Sequence, residues 1–199
     1  MFLPSMTFLS DKYTYDDYLK LNFELNSPDD IWKKAIDIFK SRVDSRFFLA
    51  IDKLMENKNA YEMLKYGFAI MTLQCSLIDT FAKFRYGSNN QTVRFKNFLK
   101  EYLIKDKDEN KEYLSKKFYK DIRCGLVHSG ATENMSGLSC HLPNLITILD
   151  NGAISVDIFV MDKELRNYYN CYIKKLQNKK EETLRRNFVN IMDTVCKVK

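Results

Sequence analysis

The sequence predicts a mainly α protein: a helical bundle with one small antiparallel β-hairpin at about 145–160, set before a long C-terminal helix at 162–197. Three observations lead there. Only three prolines and six glycines punctuate 199 residues, so long helices run unbroken. Apolar residues recur at three- and four-residue spacing through most of the chain. The pattern changes once, to β-branched runs on either side of Asp150-Asn151-Gly152, and Asn-Gly is a favoured hairpin turn pair.

The chain reads as one domain: an N-terminal arm at 1–26, core helices over 27–128, the hairpin at 144–160 and the final helix. In the arm, Tyr15 to Leu25 is suited to a short helix. Ser27-Pro28-Asp29-Asp30 marks the first core helix, with Ser27 expected as cap, Pro28 in the first helical position and two carboxylates at the positive end of the dipole. Its apolar positions, Trp32, Ile36, Phe39, Val43 and Phe47 among them, continue to about Met55. The next helix, roughly Ala60 to Tyr86, is the most apolar, with Gly87 as its terminator. Shorter helices follow at Val93–Ile104 and Glu112–Leu126, separated by a charged run at 105–111 read as a solvated turn. Residues 129–143, rich in Ser, Gly, Thr and Asn, read as a loop. In the hairpin, Leu145–Leu149 pairs with Ala153–Val160 through a type I′ turn. The final helix holds Leu165, Tyr169, Leu176, Leu184 and Phe188 on its apolar face, with a candidate break near Asn178.

Composition limits the classes of function. Apolar residues make up 45% of the chain and aromatic residues 14%, enough for a sizeable core. The net charge of +6 is compatible with a polyanionic partner without demanding one. Five scattered cysteines with no C-x-x-C make neither a disulfide framework nor a zinc site, which suits a reducing cytoplasm. No signal peptide or membrane span is expected, so no membrane partner is. Nucleotide signatures of the P-loop and dinucleotide types are absent, as is H-E-x-x-H, and neither metal nor cofactor is expected. His141, beside Cys140 and before Pro143, reads as a loop histidine.

The chemistry concentrates in Asp121-Ile-Arg-Cys-Gly-Leu-Val-His-Ser-Gly-Ala131, at the end of a helix. Arg123 supplies a permanent cation that can clamp a phosphate, and His128 can trade a proton near neutral pH. Cys124 and Ser129 adjoin the pair and are grouped with it. On the apolar 60–86 helix the polar residues Thr72, Ser76, Asp79 and Lys83 fall on one stripe, which we expect to face this stretch, with Asp79 orienting or balancing Arg123 or His128. The plainer alternative is an Asp79–Lys83 surface pair. Lys174, Lys175, Arg185 and Arg186, with Lys83, are candidates for contact with an RNA backbone, or else a solvated face.

Arg123-x-x-x-x-His128, late in a helical chain, resembles the R-x(4–6)-H motif of the HEPN superfamily. The resemblance implies a HEPN-like helical bundle, a homodimer, and metal-independent ribonuclease activity of toxin or antiphage-defence type. It further implies RNA as substrate, cleaved to a 2′,3′-cyclic phosphate and a 5′-hydroxyl, and an antitoxin or another regulatory protein as a further partner. His128 would be general acid or base and Arg123 would stabilise the scissile phosphate. Cys124 stands where many active members carry a polar residue, often Asn, and Gly130 stands where some toxins carry the tyrosine of H-x-Y. The alternative is therefore a catalytically silent HEPN-like module that binds a nucleotide, an RNA or a protein. On one regular helix, five residues would turn Arg123 and His128 about 140° apart. Convergence then needs a loosened helix near Gly125, the reach of the arginine, or a second copy.

Overall fold

A computed structural model describes residues 8–56, 59–88 and 90–196; residues 1–7 of the expected arm, and residue 197 at the end of the expected final helix, lie outside the described residues. The described chain is mainly helical: α1 (Tyr15–Leu19), α2 (Asp29–Val43), α3 (Leu49–Met55), α4 (Ala60–Tyr86), α5 (Gln91–Phe98), α6 (Asp108–Lys117), α7 (Gly125–Ser129), α8 (Ile158–Leu176) and α9 (Glu182–Cys196). Strands β1 (Gly137–Ser139), β2 (Ile146–Ile148) and β3 (Ile154–Asp157) form one sheet in the order β1-β3-β2.

The apolar α4 is the axis, packed against α3, α5, α7, α8, α9 and β1. A reciprocal cap starts it: Asn59 Oδ1 accepts from the Glu62 amide at 2.9 Å, and the Asn59 amide donates to Glu62 Oε2 at 3.2 Å. Gly87, at φ +79°, ends it. One continuous core surrounds it, in which Phe39 sits 4.7 Å from Phe84 and 5.4 Å from Phe188 between ring centroids. The burial is uneven, however. Phe68 is 40% exposed, so the N-terminal half of α4 is less enclosed than its apolar sequence suggests.

Three π-helical segments carry the chain past what the spacing predicts. Asp44–Phe48 joins α2 to α3, Leu99–Leu103 extends α5, and Phe118–Cys124 joins α6 to α7. In each the bonding widens toward i→i+5, as where the Ile104 amide donates to the Leu99 carbonyl at 2.8 Å.

Several expected boundaries move for identifiable reasons. The arm helix stops at Leu19, and Asn22 at φ +44° turns the chain. Ser27 does not cap α2; its hydroxyl accepts from the Glu24 amide at 2.9 Å, and Pro28 occupies the cap position without a side-chain bond. The charged run is not all turn, because α6 starts within it at Asp108. The final helix is two helices, parted around Asn178, whose Oδ1 accepts from the Lys180 amide at 3.1 Å.

The hairpin keeps its antiparallel pairing, Ile146 opposite Val156 and Ile148 opposite Ile154. Its second strand ends early because Asp157 caps α8, accepting from the amides of Phe159 (3.0 Å) and Val160 (2.9 Å). The turn is not type I′. Leu149 pairs with Ala153 and the Gly152 amide donates back to the Leu149 carbonyl at 2.8 Å, with positive φ at Gly152 and not at Asn151. That is a three-residue loop closed by a left-handed glycine. The expected 129–143 loop also contributes β1, which pairs parallel to β3 with Leu138 opposite Val156. Among the described residues no helix is long and apolar enough to cross a membrane.

Candidate functional site

The 118–136 region is held together by Asp121, a carboxylate only 1% exposed. It accepts from Lys117 Nζ (2.9 Å), Asn134 Nδ2 (2.7 Å) and Ser136 Oγ (3.0 Å), and its carbonyl accepts from the Glu133 amide (2.8 Å). Burial alone would raise the carboxyl's pKa, but the three donors outweigh it and hold the group below its usual value. The chain after α7 is thereby folded back against the helix. Gly125 makes the close approach possible, since a Cβ there would collide with the Ala131 carbonyl oxygen.

Two residues beyond Asp121, on the same π-helical segment, Arg123 turns toward α4. Its Nη2 donates to Asp79 Oδ2 at 3.2 Å, the same oxygen that accepts from Gln91 Nε2 at 3.0 Å. The guanidinium carbon lies 5.5 Å from the centroid of the Tyr119 ring, whose hydroxyl accepts from Thr92 Oγ1 at 2.9 Å. The arginine side chain is 13% exposed and the aspartate 18%. Burial works against the Arg123 charge, but the attraction and hydrogen bond of Asp79 exceed it and push the pKa above its ordinary value. The pair is incompletely satisfied: among the described residues, Arg123 Nε and Asp79 Oδ1 are buried without a hydrogen-bond partner.

The two hydroxyls of the polar stripe on α4, and that of the neighbouring Thr80, bond back onto their own helix. Thr72, Ser76 and Thr80 donate to the carbonyls of Phe68, Thr72 and Ser76 respectively, at 2.8–3.0 Å. Asp79 is the member that reaches the 121–131 stretch. Lys83 is half-buried, and an Asp79–Lys83 bridge is not among the ion pairs of the described residues.

His128 lies on α7, exposed, and its ring makes no hydrogen bond to the described residues. It occupies the last turn, before Gly130 at φ +66°. Ser129 Oγ donates to Glu133 Oε1 at 3.2 Å, and Cys124 is half-buried behind the arginine. Cys75, one turn before Asp79 on α4, is fully buried; desolvation, and then the Asp79 charge, push its thiol pKa far up.

The basic cluster separates. Lys174 and Lys175 are exposed on α8. Arg185 is 6% exposed, its guanidinium carbon 3.6 Å from the Trp32 centroid and its Nη1 donating to the Leu176 carbonyl at 3.0 Å. It pins α8 to α9 and is not available to a phosphate. Arg186 is exposed and paired with Glu182 at 2.6 Å. His141 is an exposed loop residue, and no group of three metal-ligating side chains occurs among the described residues.

No family model, curated protein or solved structure matches this chain.

Gln91 and Tyr119, which complete the arginine's surroundings, carry no signal in the spacing of the chain. Asp121, the first residue of the singled-out stretch, carried one signal, its i,i+4 relation to Lys117. Chemically, the region offers one oriented, permanently charged guanidinium and, five residues on, one solvent-facing imidazole.

Proposed function

We propose that the chain is a metal-independent ribonuclease of toxin or antiphage-defence type, acting as a homodimer on RNA, with Arg123 and His128 as its working pair. One observation carries this reading. Arg123 is no free surface arginine: it is aimed by the Asp79 carboxylate and the Tyr119 face, on the helical run that ends in the exposed His128. In the proposed reaction the ribose 2′-hydroxyl attacks its own phosphorus and the 5′-oxygen leaves. His128 takes the proton from the 2′-oxygen or gives one to the leaving oxygen, and water carries the other transfer. Arg123 stabilises the charge that grows on the phosphorane oxygens. The products are a 2′,3′-cyclic phosphate and a 5′-hydroxyl.

The test is a gel of labelled RNA incubated with the protein in EDTA. Cleavage is expected, with His128→Ala lowering the rate about 10²–10⁴-fold and Arg123→Ala about 10²–10³-fold, while circular dichroism melts confirm that each variant is folded. Activity that survives His128→Ala, or that requires added Mg²⁺, overturns the assignment.

A second reading, a silent binding module, is favoured by one specific feature: the Arg123 charge is already met by Asp79 and the side chain is largely covered. A wild type inert toward every RNA in the same assay supports this reading.

A further inference from the structure

Remote from Arg123 in sequence, the C-terminal end of α4, the end of the second π-helical segment and α8 enclose a cleft of about 320 Å³. Its size is near the lower end of the range for small-molecule sites, about 300–1,000 Å³. Three tyrosines line it. Tyr168 lies 4.8 Å from Tyr102, edge to face, and 5.9 Å from Tyr172, nearly parallel. Neither the Tyr168 nor the Tyr172 hydroxyl finds a hydrogen-bond partner among the described residues, although both are shut off from solvent. Buried hydroxyls are ordinarily paired, and two orphans beneath one cleft mark a place where polar packing is incomplete.

The charges at this cleft are as specific as its rings. Arg85 lies half-buried with its guanidinium carbon 5.7 Å from the Tyr102 centroid, and Lys175 stands exposed at the rim. Neither has an ion pair among the described residues. Glu164, also in the lining, is already committed to Lys105 at 2.7 Å. Glu101 lies close to Tyr86, Tyr102 and Tyr168. The mouth of the cleft therefore presents two cations, and its floor an aromatic surface.

We propose that this cleft binds a nucleoside phosphate, with the base against the Tyr102–Tyr168–Tyr172 surface and the phosphate between Arg85 and Lys175. A planar heterocycle has the π-face that the tyrosine rings accept. The phosphate supplies the anion that an arginine recognises through paired donors. A purely anionic ligand would leave the aromatic floor uncovered, and a purely apolar one would leave the cations unmatched. The site is independent of the Arg123–His128 chemistry and stands whether or not that pair cleaves RNA. The same recognition fits a free mononucleotide or one nucleotide of a single strand.

Isothermal titration calorimetry on the full chain distinguishes these sources, using the four nucleoside 5′-monophosphates, inorganic phosphate alone, and a non-cleavable 2′-O-methyl oligonucleotide. Binding of at least one monophosphate more tightly than inorganic phosphate is expected for a free-nucleotide site. Binding of the oligonucleotide alone assigns the cleft to a strand. In either case Lys175→Glu, an exposed charge reversal, should weaken binding about tenfold or more. Tyr102→Leu, which keeps an apolar side chain and removes one aromatic face, should weaken it about fivefold or more. Running every titration in an Arg123→Ala, His128→Ala background removes binding at the proposed catalytic pair, so the effects of the cleft variants belong to the cleft. The proposal is overturned if no monophosphate and no oligonucleotide binds at millimolar concentration, if inorganic phosphate binds as tightly as the nucleotides, or if both cleft variants bind like wild type.

Discussion

Asp121 is the residue on which the local structure of the candidate site most depends. Its pKa is depressed in the fold because donors from Lys117, Asn134 and Ser136 outweigh the cost of burial. A depressed carboxyl contributes stability that is complete above its unfolded value, about 3.9, and is lost as pH falls through the lower folded value. Asp121→Ala should therefore cost on the order of 3 kcal/mol at pH 7, since three donors lose a charged acceptor. The difference in melting temperature between wild type and variant should shrink as the pH is taken below about 4. A gap unchanged between pH 7 and pH 3 would mean that the charge of Asp121 contributes nothing. This dependence was hidden in the sequence because Asn134 and Ser136 lie on a segment that reads as featureless loop. Asp79 was legible, as the one acid on the narrow polar stripe of an otherwise apolar helix. The extent to which Arg123 is enclosed was not, because Gln91 and Tyr119 come from elements whose packing no spacing reports.

At the scale of elements, the close contact between the start of α7 and the returning chain rests on Gly125. Alanine is the better helix former by roughly 0.5–1 kcal/mol, but here its methyl would meet backbone at Ala131, which cannot swing aside as a side chain would. Gly125→Ala should destabilise by about 1–3 kcal/mol and speed hydrogen exchange at the Glu133 amide, which donates to the Asp121 carbonyl. Gly137→Ala, where an added Cβ meets nothing within 4 Å, serves as the control. A Gly125→Ala protein as stable as wild type would show that the 131–136 segment yields freely. Helices themselves were readable, because burying one face imposes the three- and four-residue spacing. The π-helical segments were not: they keep the chain helical while shifting its register, so a run such as Phe47, Leu49, Ala50, Ile51 crowds round the axis, leaving Leu49 53% exposed and Ile51 fully buried. Strand β1 was equally silent. Three residues, Gly137-Leu138-Ser139, are too short to show alternation, and they become a strand only by pairing with β3.

For the whole molecule, the question raised by the Arg123–His128 spacing is how many chains make one working site. Within one chain Arg123 leads inward to Asp79 while His128 faces solvent. In the proposed homodimer the exposed histidine of each protomer meets the arginine of the other across a two-fold axis near 121–131. A symmetric interface offers the same patch twice, so two equivalent composite sites arise together. Light scattering at micromolar concentration should then give twice the mass of the 23.6 kDa chain. A mixing experiment asks more. Arg123→Ala and His128→Ala proteins, each inactive alone, are combined under conditions that exchange subunits. Random re-pairing makes half the dimers mixed, and each mixed dimer has one site with both residues intact and one with neither. Ribonuclease activity should return to about a quarter of the wild-type rate. A site built within one chain gives no recovery at any mixing ratio, because every protomer lacks one of its own two residues. Mixed protein that stays inactive while scattering as a dimer would therefore rule out the shared site.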